Sequence, residues 1–171
     1  MTTEEKTLLD QIQIDRINQY IEKNPEKIKL SDDDPCLKET HVTLTQSDGK
    51  RKTQKHEVIK LPLDLVYPNV HNGRFKDDYI EEKMKLQEQN YNGYNPDDDP
   101  ESWDLDPLDD TEAGIIRNFL LQKDPDSTRL LIQALTNEGQ KNPGIITYDG
   151  CIMNANRRYA SLYMLSENDP E

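Results

Sequence analysis

The chain has 171 residues, 34 of them Asp or Glu and 21 Lys or Arg, giving a net charge of −13 and a mean hydropathy of −0.99. So acidic a composition argues against a simple sequence-independent DNA binder, which displaces counterions with Lys and Arg. No apolar run approaches the ~18–20 residues of a membrane span, the start MTTEEKTLLDQ lacks the basic-then-apolar plan of a signal peptide, and two cysteines, Cys36 and Cys151, suit a reducing, cytoplasmic setting.

In chain order, residues 3–23 have helical periodicity, with Leu9, Ile12, Tyr20 and one of Ile14, Ile17 and Ile21 on the inner face, and Asn24-Pro25 ends the helix. After the polar break Lys29 to Pro35, the stretch from Thr40 to Leu61 reads as a hairpin. Val42 and Leu44 lie on its first strand, Ser47 to Lys50 form its turn, and Val58, Ile59 and Leu61 lie on its second strand. The basic run Lys50 to Lys55 is a solvated tip. Leu63, Leu65 and Val66 precede the polar string Asn69 to Arg74, and Phe75 to Gln89 reads as a helix. Thr111 to Leu121 reads as a helix presenting Ile115, Ile116, Phe119 and Leu120. The next helix is capped by Asp126 or Ser127, carries Leu130, Leu131, Ala134 and Leu135, and stops at Gly139. Ile145 to Tyr148 and Cys151 to Met153 are short strands about an Asp149-Gly150 turn. Asn154 is placed to cap a last helix from Ala155 to Leu165.

The charge is not evenly spread. Residues 76–112 carry −11 of the −13, and from Glu88 to Glu112 there are ten acids and no Lys or Arg. With three prolines in the same stretch, 88–112 reads as an acidic insertion with little regular structure. Trp103 within it has two open readings: a docking residue for a basic partner, or an anchor that folds the loop back on its own domain.

The chemistry concentrates in GQKNPGIITYDGCIMNANRRYASLYML. Gly139, Gln140 and Asn142 form one polar loop. Asn154, Ala155, Asn156, Arg157 and Arg158 open a helix, where free N–H groups and the positive dipole end favour an anion. Two guanidinium forks in the first turn match phosphate oxygens. From spacing alone, the alternative that either arginine merely pairs with a surface carboxylate stays open. Asp149 is either a turn residue or a group facing this pocket to help hold a metal or a ribose. Three histidines without ligand spacing argue against zinc, and Ser102 and Leu108 at the sixth and twelfth positions spoil a calcium loop beginning at Asp97.

The succession Asn69-Val70-His71-Asn72-Gly73-Arg74, then Gly139-Gln140-Lys141-Asn142-Pro143, then Ala155-Asn156-Arg157-Arg158 resembles the ParB/sulfiredoxin-like superfamily over roughly residues 57–166. The resemblance implies an α+β fold, a small mixed sheet with packed helices, here preceded by an N-terminal helix and a β-hairpin. It divides the chain into a 1–56 extension and a 57–171 domain carrying the 88–112 insertion. It further implies that Asn72, Arg74, Gly139, Gln140, Asn154, Arg157 and Arg158 hold the phosphates of a nucleoside triphosphate with Mg²⁺, and that Asp149 and Asn156 are candidates for positioning metal or water. Ala155 and Asn156 stand where the family's box has Gly and Glu, so clamp-type hydrolysis does not carry over. The sulfiredoxin Gly-Cys-His-Arg box is absent, and Cys151 reads as a structural thiol.

The function expected is therefore nucleotide or phosphate binding, with NTP hydrolysis or phosphotransfer in a DNA-related or defence setting as its catalytic extension. Partners would be the nucleotide, a basic protein, or DNA through further domains. Two rivals stand beside it. One is a non-catalytic interaction module or DNA mimic acting through the acidic segment. The other is a nuclease, which needs a carboxylate cluster that the sequence near the box does not supply.

Overall fold

In the computed structural model, which describes residues 3–45, 48–69, 81, 85 and 108–168, the chain folds as a mixed α+β protein. The described residues form four helices and two small sheets. Helix α1 spans Thr3–Lys23. Its inner row is Gln13, Ile17, Tyr20 and Asn24, one position away from the row through Ile12, which is 49% exposed. Gln13 is 2% exposed and donates from Nε2 to the Leu65 carbonyl at 3.0 Å. That bond satisfies a buried polar group and ties the helix to residues 52 positions away. Asn24 ends the helix, its Nδ2 donating to the Tyr20 carbonyl at 2.9 Å.

Strands β1 (Glu39–Thr45) and β2 (Arg51–Glu57) pair antiparallel, from Glu39 opposite Glu57 to Thr45 opposite Arg51. The second strand is thus the basic run itself rather than Val58 to Leu61. It was hidden from pattern reading because every residue of β2 is exposed, which leaves no buried face to create alternation. Its stabilisation is backbone pairing, a Thr43–Thr53 hydroxyl contact of 2.8 Å, and the 2.6 Å ion pair of Lys55 with Glu39.

A 3-10 turn at Leu63–Leu65 leads into β3 (Tyr67–Pro68). The second sheet has β5 (Cys151–Asn154) at its centre, parallel to β3 and antiparallel to β4 (Ile145–Ile146). Pro68, nearly fully buried, is tolerated because β3 is an edge strand. Gly150 makes the tight approach below β5. Its φ is 88°, and a Cβ there would lie 2.5 Å from the Leu65 carbonyl oxygen.

Helices α2 (Asp110–Gln122), α3 (Pro125–Glu138) and α4 (Asn156–Asn168) pack together beside this sheet. Ile116, Leu120 and Ala160 are buried at the centre, with Ile115, Phe119 and Leu121 packed around them. The absence of a larger side chain at Ala160 lets α2 and α4 approach closely. Arg117 of α2 lies 3.8 Å above the Tyr163 ring of α4. The cap of α3 is Asp124, not Asp126 or Ser127: its side chain accepts from Ser127 N, and Pro125 occupies the first turn, where its missing N–H costs nothing. Leu130, expected inside, is 61% exposed, and Ala134 is exposed too. The buried side of α3 runs through Thr128 and Leu135.

Cys36 and Cys151 are not joined in a disulfide, and both are half-buried. No described helix is long and apolar enough to cross a membrane. Apart from Glu81 and Lys85, which form a 3.1 Å ion pair, the expected helix from Phe75 to Gln89 lies outside the described residues, as do Trp103 and residues 88–107.

Candidate functional site

Three chain segments meet at one end of the second sheet. The strands β3 and β5 run parallel, so both deliver their carboxyl ends there: β3 exits into Asn69, and β5 exits into Ala155 and α4. The antiparallel β4 begins at the same end, bringing the loop from Gly139 to Gly144 beside them. In open α/β sheets, loops at the carboxyl ends of parallel strands are the usual ligand crevice.

The three segments are tied by side chains of the box. Asn156 accepts at Oδ1 from the Asn69 backbone N–H at 3.0 Å, joining positions 87 apart. Arg158 donates from Nη1 to the Asn142 carbonyl at 2.6 Å, and Gln140 donates to the same oxygen at 3.1 Å. Arg157 donates from Nη1 to the Asp124 carboxylate at 3.2 Å. Gly139, at φ 68°, ends α3 and turns the chain against Pro35; a Cβ there would lie 2.7 Å from Pro35 Cγ. The segment Pro35 to Leu37 backs this loop, with Leu37 N donating to the Lys141 carbonyl at 3.0 Å. Cys36 sits beside Arg158, where burial pushes its thiol up against the opposing pull of the guanidinium.

Asn154 does not cap α4. Its Oδ1 accepts from Ile145 N at 3.0 Å and holds the irregular β4–β5 pairing instead. The cap position falls to Ala155, whose carbonyl accepts the first helical bond from Tyr159 N at 2.9 Å and whose methyl side chain has no acceptor to offer. Ala155 also sits at φ 77°, a left-handed conformation that costs an L-residue roughly 1–2 kcal/mol. Asn156 follows at 6% exposure with its Nδ2 buried and without a hydrogen-bond partner. An unsatisfied buried amide costs about 1–3 kcal/mol. A strained residue, an uncapped helix start and an orphaned donor therefore coincide on two adjacent residues, and such a concentration of local cost is characteristic of binding sites.

The described donors at this end of the sheet are the Asn156 amide, the N–H groups of the first turn of α4 and the Arg158 guanidinium, and they suit an oxyanion. The Arg157 guanidinium instead reaches to Asp124, at the opposite end of α3 from the loop that holds Arg158. Among the described residues Asp124 is the carboxylate bonded to an arginine of the box, and it is held below the usual carboxylate range by the hydrogen bonds of Ser127, with Arg157 adding to them. The described residues contain no cluster of three or more His, Cys, Asp or Glu, and the donor set here does not fit Mg²⁺, which takes oxygen acceptors.

Asp149 lies elsewhere. It occupies the turn before β5, whereas the box follows β5, and a four-residue strand separates the two ends by about 13 Å. Both its carboxylate oxygens are engaged, one by the Tyr67 hydroxyl and the other by the Thr147 hydroxyl. Burial raises its pKa, but the Thr147 and Tyr67 hydroxyl bonds and the backbone N–H groups of Asp149 and Cys151 together outweigh burial and leave it below the ordinary value. Burial, and then the bond to Asp149, push the Tyr67 phenol far up. This is a structural latch between β3 and the turn. Asn72 and Arg74 lie outside the described residues.

Two participants were missed by sequence reasoning. Asp124 had a signal, since Asp-Pro at a helix start places the cap on the Asp. Ala155 had only an indirect one: an alanine itself does not announce a positive φ, but it stands where the resembled box carries Gly. No protein-family model, no curated protein and no solved structure matches this chain.

Proposed function

We propose that the chain is a ParB/sulfiredoxin-like domain that binds a phosphate-bearing ligand, a nucleoside triphosphate in the first instance, at the start of α4. The observation that carries the reading is the Asn156 Nδ2, buried and unpartnered on the first residue of a helix whose cap position is held by Ala155. A phosphate oxygen at that point would accept from the amide and the N–H groups of the first turn together. The left-handed Ala155 supports the family assignment, because it occupies the box position where the family carries Gly, the residue that tolerates this φ. The Arg158 bond to Asn142 supports it further by joining the box to the Gly-x-x-x-Pro loop.

The work of the site is recognition: α4 and Asn156 supply fixed dipoles, and the arginines supply charge. Among the described residues the donor set offers no general base, and no hydrolytic step and no step through a metal is assigned to it. Calorimetric titration with ATP, CTP and GTP, each with and without Mg²⁺, tests the reading on wild type and Arg157→Ala. A charge-assisted hydrogen bond contributes about 1.5–3 kcal/mol, so the variant should bind roughly 10- to 100-fold more weakly. If no nucleotide binds, the proposal fails.

A further inference from the structure

The two arginines of the box are held in different ways. Arg158 is bound to a neutral acceptor, the Asn142 carbonyl. Arg157 is bound to an anion, the Asp124 carboxylate, and Asp124 belongs to a different helix start. Its two oxygens divide their work, Oδ1 capping α3 through Ser127 N at 3.2 Å and Oδ2 meeting Arg157 at 3.2 Å. Both side chains are about half exposed, at 40% for Arg157 and 48% for Asp124, so the pair is open to water and weakly held.

We propose that Asp124 is a built-in competitor at the phosphate site: its carboxylate engages Arg157 in the empty protein and yields that guanidinium to the ligand when an anion binds. The inference rests on the phosphate-binding reading and adds a regulatory residue to it. The exchange is chemically balanced, one anion leaving the guanidinium as another arrives. It need not disturb α3, because the capping oxygen is not the one released. A competitor of this kind sets a threshold, so that a weakly charged ligand fails to displace Asp124 while a di- or triphosphate succeeds. Asp124 touches no ligand in this scheme; it acts through Arg157.

The test is calorimetric titration of pyrophosphate and of ATP into wild type, Asp124→Asn, Arg157→Ala and the double variant, with a thermal melt of each. Asn caps helices as well as Asp does, so Asp124→Asn removes the charge and keeps the cap; Asp124→Ser is the second uncharged cap should the first fail to fold. Asp124→Asn should bind about fivefold more tightly, close to 1 kcal/mol at 1.4 kcal/mol per tenfold. That gain should vanish in the Arg157→Ala background, an outcome that a purely structural role or a general charge effect would not produce. Wild-type binding with equal or weaker affinity in Asp124→Asn overturns this inference alone, as does a gain that persists without Arg157. Failure of all four proteins to bind either anion overturns the phosphate reading along with it.

Discussion

Ala155→Gly should stabilise this protein, although glycine substitutions in and around helices ordinarily destabilise. At φ 77° the Ala155 methyl is held where its own backbone crowds it, and removing it relieves roughly 1–2 kcal/mol. Against that, the more flexible unfolded chain gains about 0.4–1 kcal/mol of conformational entropy. The net expectation is a stabilisation of roughly 0.5–1 kcal/mol, and at 2–4 °C per kcal/mol for a chain of this size Tm should rise by about 1–4 °C. Denaturant melts of wild type and variant should show a shifted midpoint with unchanged slope. Ala160→Gly is the control. It lies inside α4 at 0% exposure, where the same chemical change costs about 1 kcal/mol of helix propensity and a further ~0.8 kcal/mol of buried methyl. If Ala155→Gly melts at or below wild type, the left-handed strain at the head of α4 is not real, and one support for the binding site goes with it.

Gly150→Ala should be severe, because the new Cβ meets the Leu65 carbonyl oxygen at 2.5 Å and Ile17 Cδ1 at 3.1 Å while φ stays at 88°. About 1–2 kcal/mol of backbone strain plus 1–3 kcal/mol of overpacking predicts a loss near 3 kcal/mol in urea unfolding, and a loss under ~1 kcal/mol would contradict the packing of α1 on this turn. Asp149 should make stability acid-sensitive. Its folded pKa lies below the unfolded value of about 3.9, so its contribution is present above that pH and is lost as pH falls through the lower folded value. The stability gap between wild type and Asp149→Asn, measured by urea melts from pH 6 down to 3, should therefore hold constant above pH ~4 and narrow below it. A gap independent of pH would mean that the Tyr67 and Thr147 hydroxyls do not favour the carboxylate.

Local patterns were readable where one face is buried. The row Ile115, Ile116, Phe119 and Leu120 announced α2, and Gly139 announced the end of α3, because helical burial repeats every three to four residues and a left-handed stop favours Gly. Strand β2 was unreadable for the complementary reason: with no core beneath it, its sequence carries charge and no period. On α1 Ile17 and Tyr20 turn inward as read, but Ile12 misled, because the position that turns inward beside it is Gln13, whose partner is a carbonyl contributed from 52 residues away.

What the sequence by itself determined is the chemical inventory of the site: two adjacent arginines and an asparagine at a helix start, and a polar loop ending in Pro143 ahead of the next strand. The tertiary structure decided what those groups are free to do. Pairing of β3 with β5 set Asn69 against Asn156, the approach of α3 gave Arg157 to Asp124, and the exit of β5 directly into α4 forced Ala155 to a positive φ. Each of these joins residues far apart in the chain or follows from where two packed elements meet. Hydrogen-bond partners and backbone strain at such places are set by the burial of the whole core, and no local pattern of residues records them.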